Sequence, residues 1–137
     1  MSDKSIQQAF SWKVISDQKI VKQIDKSAML YKTTGIPVEI RWFFTLEQLS
    51  PGKKENVTLL YEGNHYDAFF SMGVQESPRS RLVWRSDFSS IIQSRFQNLY
   101  RSWKHDNEDP EGSGYIVFKR KSAILYEVFF DTIINDK

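Results

Sequence analysis

Alternation of apolar and polar side chains predicts short strands along much of this chain. Side chains of a strand point to opposite faces with a period of two. This period recurs in three segments, residues 11–15, 56–61 and 79–84. In the last segment Leu82 and Trp84 share one face, and Arg79 and Arg81 share the other. We therefore expect a strand that is rooted in the core on one side and presents two guanidinium groups on the other.

Two hairpins are predicted where paired strand patterns flank turn residues. The first spans 56–70, with Gly63 and Asn64 as the residues that tolerate positive φ. The second spans 115–130 near the C-terminus, with a turn rich in basic residues.

Helical spacing of apolar residues occurs in two further segments. Pro37 is acceptable at a first helical position and opens a helix predicted over 37–46. The second helix is predicted over 87–101, with Ser86 as a plausible N-cap. Residues 19–34 mix apolar and charged positions without a clear period, and we expect a structured connection there.

These elements predict a mainly β fold with two helices, arranged as a small, partly open β-barrel. No repeat, low-complexity tract or linker divides the chain. We therefore expect a single domain over 11–131, between flexible tails at 1–10 and 132–137.

The amino-acid composition limits the chemistry and the cellular location that we expect for this domain. The chain has 137 residues, is 40% hydrophobic and 15% aromatic, and contains no cysteine. Disulfides, thiolate metal sites and cysteine nucleophiles are therefore excluded. The first residues have no apolar signal region, and no window approaches the roughly 18 apolar residues of a membrane span. We expect a cytoplasmic protein with no membrane association.

The sequence offers no constellation that would support catalysis. It contains neither of the glycine-rich phosphate-binding patterns, and its two histidines, His65 and His105, fall in separate predicted loops. Four acidic residues at 106–111 predict a solvated loop whose negative charge balances the positive charge of the basic segments. We therefore predict no catalytic residues, no metal and no cofactor, and a chain that is not an enzyme by itself.

Basic residues are concentrated in two hydroxyl-rich segments, although the formal net charge is only +2. Residues 22–34 lead into the first helix, and residues 75–81 lead into the rooted strand. Arg can pair with guanine, Gln with adenine and Glu with cytosine, while Lys, Ser, Thr and Tyr commonly contact phosphates. The candidate DNA contacts are Lys22, Lys26, Ser27, Tyr31, Lys32, Thr33, Thr34, Gln75, Glu76, Ser77, Arg79, Ser80 and Arg81, with Arg85 as a phosphate contact. On residue types alone, Arg79 and Arg81 could equally be the solvated face of an edge strand.

Several short segments of the sequence, taken in their order along the chain, resemble those of a known family. They are Ile24-Asp25-Lys26-Ser27, Thr34-Gly35-Ile36-Pro37-Val38-Glu39-Ile40, Leu59-Leu60-Tyr61-Glu62-Gly63-Asn64-His65-Tyr66-Asp67-Ala68, Arg79-Ser80-Arg81-Leu82-Val83-Trp84-Arg85-Ser86-Asp87-Phe88 and Tyr115-Ile116-Val117-Phe118. Together they make the chain resemble the DNA-binding pseudobarrel family. That family includes the B3 domains of plant transcription factors and the B3-like recognition domains of bacterial restriction endonucleases.

The resemblance implies an open seven-stranded β-barrel with two helices that grips double-stranded DNA. Two arms would enter the major groove: an N-arm, residues 22–34, and a C-arm, residues 71–81, with Arg79 and Arg81 at its base-reading end. It further implies the target-recognition domain or subunit of a restriction system, with any nuclease on another domain or subunit. Two alternatives stay open: a binder of single-stranded DNA or RNA on a related small barrel, and a protein-interaction module that docks an acidic partner.

Overall fold

The computed structural model describes residues 7–9, in backbone only, and residues 11–134. The strands are β1 (Gln7–Ala9), β2 (Trp12–Ser16), β3 (Lys19–Gln23), β4 (Thr33–Ile36), β5 (Lys54–Tyr61), β6 (Asn64–Met72), β7 (Ser80–Trp84), β8 (Tyr115–Ser122) and β9 (Leu125–Asp131). The helices are α1 (Lys26–Leu30), α2 (Ser86–Arg95) and α3 (Gln97–Arg101), with a 3₁₀ helix at Val38–Phe44 and a π-helical turn at Ser102–Asp106.

One sheet contains all nine of these strands, in the order β1-β2-β3-β8-β9-β5-β6-β7-β4. Neighbouring strands are antiparallel except for β5 and β9, which pair in parallel. The two ends of the sheet approach each other, since Trp12 Nε1 on β2 donates to Gly35 O on β4 at 2.9 Å. The strands β2 and β4 are not paired in the sheet. The expectation of a mainly β, open barrel is therefore confirmed, with nine strands instead of seven.

Aromatic side chains fill the barrel interior. Trp12 packs on Phe44 and Phe118, with ring centroids 5.6 and 5.9 Å apart, and Tyr126 lies 5.3 Å from Phe44. Burial raises the pKa of the Tyr126 phenol, against the lowering effect of the nearby Arg120. Three of these rings come from strands and the ring of Phe44 comes from the 3₁₀ helix. The 3₁₀ helix therefore packs against the interior of the barrel.

The predicted connection at 19–34 is three separate elements, namely β3, α1 and β4. Its mixed pattern arises because β3 buries both faces: Ile20 and Val21 are each buried although they point to opposite sides. The period of two is therefore lost because this strand has no face toward solvent. The short helix α1 adds to the two helices that the sequence predicts.

The predicted helix at 87–101 is interrupted at Phe96, which has φ −129° and ψ 58°. This turn directs Phe96 into the core against Phe130, with ring centroids 5.8 Å apart. Gly114 lies beneath the same ring, and a Cβ atom there would come within 2.7 Å of it. Packing of one large ring therefore divides a segment whose apolar spacing is that of one continuous helix.

The expected tail at 1–10 is in part ordered structure. Residues 7–9 form β1 and pair with β2 in antiparallel register. The rest of that tail, residues 1–6 and 10, and the end of the other, residues 135–137, lie outside the described residues. Within the described part of the chain, no helix is both long and apolar enough to cross a membrane.

The first hairpin turns at Glu62 and Gly63, with φ of 49° and 81°, and not at Gly63 and Asn64. Two consecutive positive φ values are those of a type I′ turn, in which Asn is favoured at the first position. We expect Glu62→Asn to raise the free energy of unfolding by about 0.5–1 kcal/mol, because Asn adopts this conformation with less strain than Glu. Urea unfolding measures the gain, and Glu62→Ala, which keeps the strain, should show none.

Candidate nucleic-acid interface

The N-arm and the C-arm border a single groove of about 580 Å³. Lys22 and Asp25 of the N-arm line it, together with Ser77 and Arg79 of the C-arm. We call this the inter-arm groove. Pro78 and Ser80 of the C-arm also line it, and the remaining lining comes from β2, β4, the 3₁₀ helix and the residues next to them, namely Ser11, Trp12, Gly35, Ile36, Pro37, Val38, Glu39 and Arg41. The groove thus follows the seam where the two ends of the sheet meet.

Asp25 fixes the start of the N-arm by two contacts. Its Oδ1 accepts from the amide of Ala28 at 2.9 Å and so caps α1. Its Oδ2 accepts from Lys22 Nζ at 3.0 Å. Lys22 Nζ also donates to Ser11 Oγ and lies 5.7 Å from the Trp12 ring centroid. The ammonium group of Lys22 therefore connects the barrel to the start of α1 by hydrogen bonds.

The outward side of α1 and the residues after it present the polar groups of the N-arm. Lys26, Ser27, Tyr31 and Lys32 are exposed, with Tyr31 at 62%. The inward side buries Ala28 and Met29. Gln93 Nε2 on α2 donates to Met29 O at 3.2 Å, which holds the end of α1. The N-arm is therefore a packed helix and not a free loop.

The C-arm is a short loop closed at its base. Gly73 N donates to Arg79 O at 2.9 Å, and Gly52 N donates to Met72 O at 2.9 Å. Gln75, Glu76, Ser77 and Arg79 are exposed above this closure. Because both ends are pinned by backbone hydrogen bonds, Arg79 has a fixed Cα position at the mouth of the inter-arm groove.

Arg41, which the sequence does not mark, ties the C-arm to the 3₁₀ helix. Its Nε donates to Ser80 Oγ at 2.8 Å, and its Nη2 donates to Pro78 O at 2.6 Å. Ser80 Oγ in turn donates to Ile36 O at 2.8 Å. A chain of hydrogen bonds thus runs from β4 through Ser80 to Arg41 and back to the root of the C-arm. No local pattern could reveal it, because Arg41 and Ser80 lie 39 positions apart.

We expect Arg41→Ala to loosen the C-arm and reduce selectivity among DNA duplexes. The loss of a charged donor from Ser80 and Pro78 should lower the free energy of unfolding by about 1–3 kcal/mol. Urea unfolding and competition between duplexes measure the two effects. Arg120→Ala is a matched control, because Arg120 Nη2 donates to Thr45 Oγ1 at 3.0 Å outside both arms. It should cost some stability and leave selectivity unchanged; an equal loss of selectivity in both variants would contradict the assignment.

Arg81 and Thr33 lie on the outer face of the sheet instead of lining the inter-arm groove. Arg81 is exposed on β7, and its partner on β4 is Gly35. Thr33 is half-buried and donates from Oγ1 to Leu82 O at 3.1 Å. Arg79 precedes β7 and borders the groove. The two arginines that the sequence places on one face therefore occupy neighbouring but different surfaces.

Arg85 lines a second cleft of about 340 Å³. This cleft is lined by residues of β5 and β6, including Asn56, Asp67 and Phe69, and by Ile124. Arg85 is therefore outside the lining of the inter-arm groove.

Three of the predicted contacts have almost fully buried side chains. Lys22 is 2% exposed, Thr34 0% and Ser80 2%. Lys22 and Ser80 are occupied by the hydrogen bonds described above, and Thr34 points inward from β4. The prediction that these three residues touch DNA is therefore corrected: Lys22 and Ser80 position the arms, and Thr34 belongs to the core. In the described residues no group of three or more histidines or acids is placed to hold a metal ion.

Comparison with solved structures gives a likeness of fold. The N-terminal domain of Helicobacter pylori LlaJI.R1 matches with a TM-score of 0.50 and 13% sequence identity, over 82% of this chain and 79% of that one. A hypothetical protein of Arabidopsis thaliana matches with a TM-score of 0.35 and 12% identity, over 82% of this chain and 90% of that one. No family model matches the sequence, and no curated protein matches it. The likeness to the LlaJI.R1 domain is one of fold, that of an open, mainly β barrel.

Proposed function

We propose that this chain recognises a specific sequence in double-stranded DNA by inserting the N-arm and the C-arm into the major groove. The observation that carries the proposal is the inter-arm groove, since residues of two segments that are separated by 36 residues of sequence line one site. A fixed spacing between two sets of donors suits a ligand with a regular array of acceptors, as a duplex has.

Charge and side-chain type in the arms also favour a duplex. The N-arm and the C-arm together carry five cations and two carboxylates. Of the carboxylates, Asp25 is paired with Lys22, so the field at the arms is positive. Single-strand binding relies on aromatic stacking platforms. The arms contain one aromatic residue, Tyr31, which is too few for such a platform.

Different surfaces suggest different roles for the cations. We assign Arg79, at the mouth of the inter-arm groove, to a base edge, together with Gln75, Glu76 and Ser77 of the exposed loop. Lys26, Ser27, Tyr31 and Lys32 on the N-arm are assigned to phosphates, as are Thr33 and Arg81 on the outer face of the sheet. Arg85, which lines the second cleft, is assigned to a phosphate as well.

Selection of bound duplexes from a random pool at near-physiological salt tests this proposal. Enrichment of one short motif, with the matching single strands failing to compete, is the expected result. Enrichment of no motif would overturn sequence-specific recognition. Stronger competition by single strands would favour the single-strand binder, and binding to acidic protein but to no nucleic acid would favour the interaction module.

We further propose that recognition serves a restriction system, with this chain as its target-recognition domain or subunit. The sequence resemblance to the B3-like recognition domains of restriction endonucleases supports this. Cleavage would then require a nuclease domain or subunit elsewhere. Restriction of unmodified phage by cells that carry the intact system, and its loss when Arg79 is replaced by Ala, is the expected result.

A further inference from the structure

Gly35 occupies a strand position where the fold itself has no need of glycine. Its φ lies outside the left-handed region, unlike those of Gly52 and Gly63. A Cβ atom built on it would meet nothing within 4 Å, whereas one on Gly114 would strike Phe96 at 2.7 Å. Glycine weakens a strand, and where neither φ nor packing demands it, it often marks the close approach of a ligand.

The surroundings of Gly35 indicate an anionic ligand. In the pairing of β4 with β7, Gly35 lies directly opposite Arg81, and Arg81 lies opposite Ser71 on β6. Trp84 N donates to Lys32 O at 3.0 Å, so the hydrogen-bonded pairs of β4 fall at residues 32, 34 and 36. Gly35 and Arg81 thus form a non-hydrogen-bonded pair, with Cα atoms about 4.5 Å apart and side-chain positions on the same face.

The backbone of Gly35 adds a directional feature. Because its pair with Arg81 is not hydrogen-bonded, its amide and carbonyl point away from β7, toward the seam of the barrel. The carbonyl accepts from Trp12 Nε1 at 2.9 Å, in agreement with this direction. The amide therefore points along the inter-arm groove, of which Gly35 is a lining residue. Backbone amides are frequent donors to phosphate oxygens.

We propose that Gly35 is a phosphate-binding position, at which the sugar–phosphate backbone of a duplex crosses β4 in contact with the main chain and with the Arg81 guanidinium. The absence of a side chain lets a phosphate approach both groups, and any side chain would hold it away from them. This inference rests on the proposed function, but it concerns a contact that is independent of base sequence.

Substitution of Gly35 separates this role from a structural one. Gly35→Ala and Gly35→Val remove backbone freedom from the unfolded chain and add a side chain to open space, so the melting temperature should stay level or rise. Affinity for a duplex should nevertheless fall, by roughly tenfold for Val and less for Ala, as expected for one lost charge-assisted hydrogen bond. The salt dependence of binding should weaken at the same time.

The measurement is fluorescence anisotropy with a labelled duplex carrying the selected site, or a random-sequence duplex if no site is enriched. Gly112→Val is the matched control, since a Cβ on this exposed loop glycine also meets nothing within 4 Å. It should bind as the unsubstituted protein does. In an Arg81→Ala background, Gly35→Val should have a smaller effect than in the unsubstituted protein, because both changes act on the same phosphate.

The outcomes are distinct. Unchanged affinity of Gly35→Val, or full additivity with Arg81→Ala, would overturn the inference and leave the proposed function intact. Failure of the unsubstituted protein to bind any duplex would overturn both. A fall in affinity equal to that of Gly112→Val would also overturn the inference, since a general surface effect would then explain it.

Discussion

Replacement of Arg79 by Ala should flatten the preference among DNA sequences and leave non-specific binding nearly intact. A bidentate contact from Arg to guanine contributes about 1–3 kcal/mol of discrimination, which is roughly 5- to 150-fold in relative affinity. Arg79 is suited to such a contact because the hydrogen bond from Gly73 N to its carbonyl oxygen, at 2.9 Å, fixes its backbone. Competition between the selected duplex and single-base variants measures the effect, which should appear at one base position.

Arg81→Ala is the matched comparison, since it removes the same charge two residues away. Arg81 projects from the outer face of β7, opposite Gly35, and we assign it to phosphate. Its loss should weaken all duplexes alike and reduce the salt slope by about 0.9. Equal losses of selectivity in the two variants would show that both arginines read bases. Full selectivity in Arg79→Ala would remove the C-arm from base recognition.

The strands that line the barrel were predictable wherever one face meets solvent. β7 illustrates this well: Leu82 and Trp84 are buried and Arg81 is exposed, as the alternation predicts. The hairpin of β5 and β6 was predictable for the same reason, although its turn lies one residue earlier. β3 was not, because burial of both its faces removes the period that reveals a strand.

Location of the candidate site was more accessible to sequence than the roles of its residues. The two basic segments do border one groove, but the side chains of Lys22 and Ser80 are buried and hold the arms in place by hydrogen bonds. A lysine in a basic segment reads as solvated, since burial of a charge is costly without a partner. The partners that make burial of Lys22 possible are Ser11 and Asp25, and the Ser11 contact depends on tertiary structure.

The different roles that we assign to Arg79 and Arg81 are likewise not predictable from the sequence. Alternation assigns both to one face only if the strand extends through Arg79, whereas β7 begins at Ser80. Arg79 belongs to the C-arm loop, whose direction is set by Arg41 from the 3₁₀ helix. The end of a strand is a property of its partners, so one residue of uncertainty there changes which surface a charge occupies.

Asp25→Ala should have the largest effect on stability, because Asp25 both caps α1 and pairs with a buried cation. Loss of the cap costs about 1 kcal/mol. Loss of the 3.0 Å contact to Lys22 removes a charge-assisted hydrogen bond, which contributes about 1.5–3 kcal/mol. Since Asp25 is half-exposed and Lys22 is buried, the main cost is the unpaired ammonium group. We expect the free energy of unfolding to fall by roughly 2.5–4 kcal/mol. Urea unfolding measures this fall.

Two further variants separate the charge of Asp25 from its cap. Asp25→Asn keeps an oxygen that can accept from Ala28 N, so it should lose only the contribution of the ion pair. Combining Asp25→Asn with Lys22→Met removes the buried charge as well, and replacing an ion pair by apolar packing is often close to neutral. The double variant should therefore be more stable than Asp25→Asn alone, and it should bind DNA nearly as the unsubstituted protein does, because Lys22 positions α1 and does not touch phosphate. If the double variant were stable but lost affinity uniformly across duplexes, with a reduced salt slope, Lys22 would have to act as a direct phosphate contact after all.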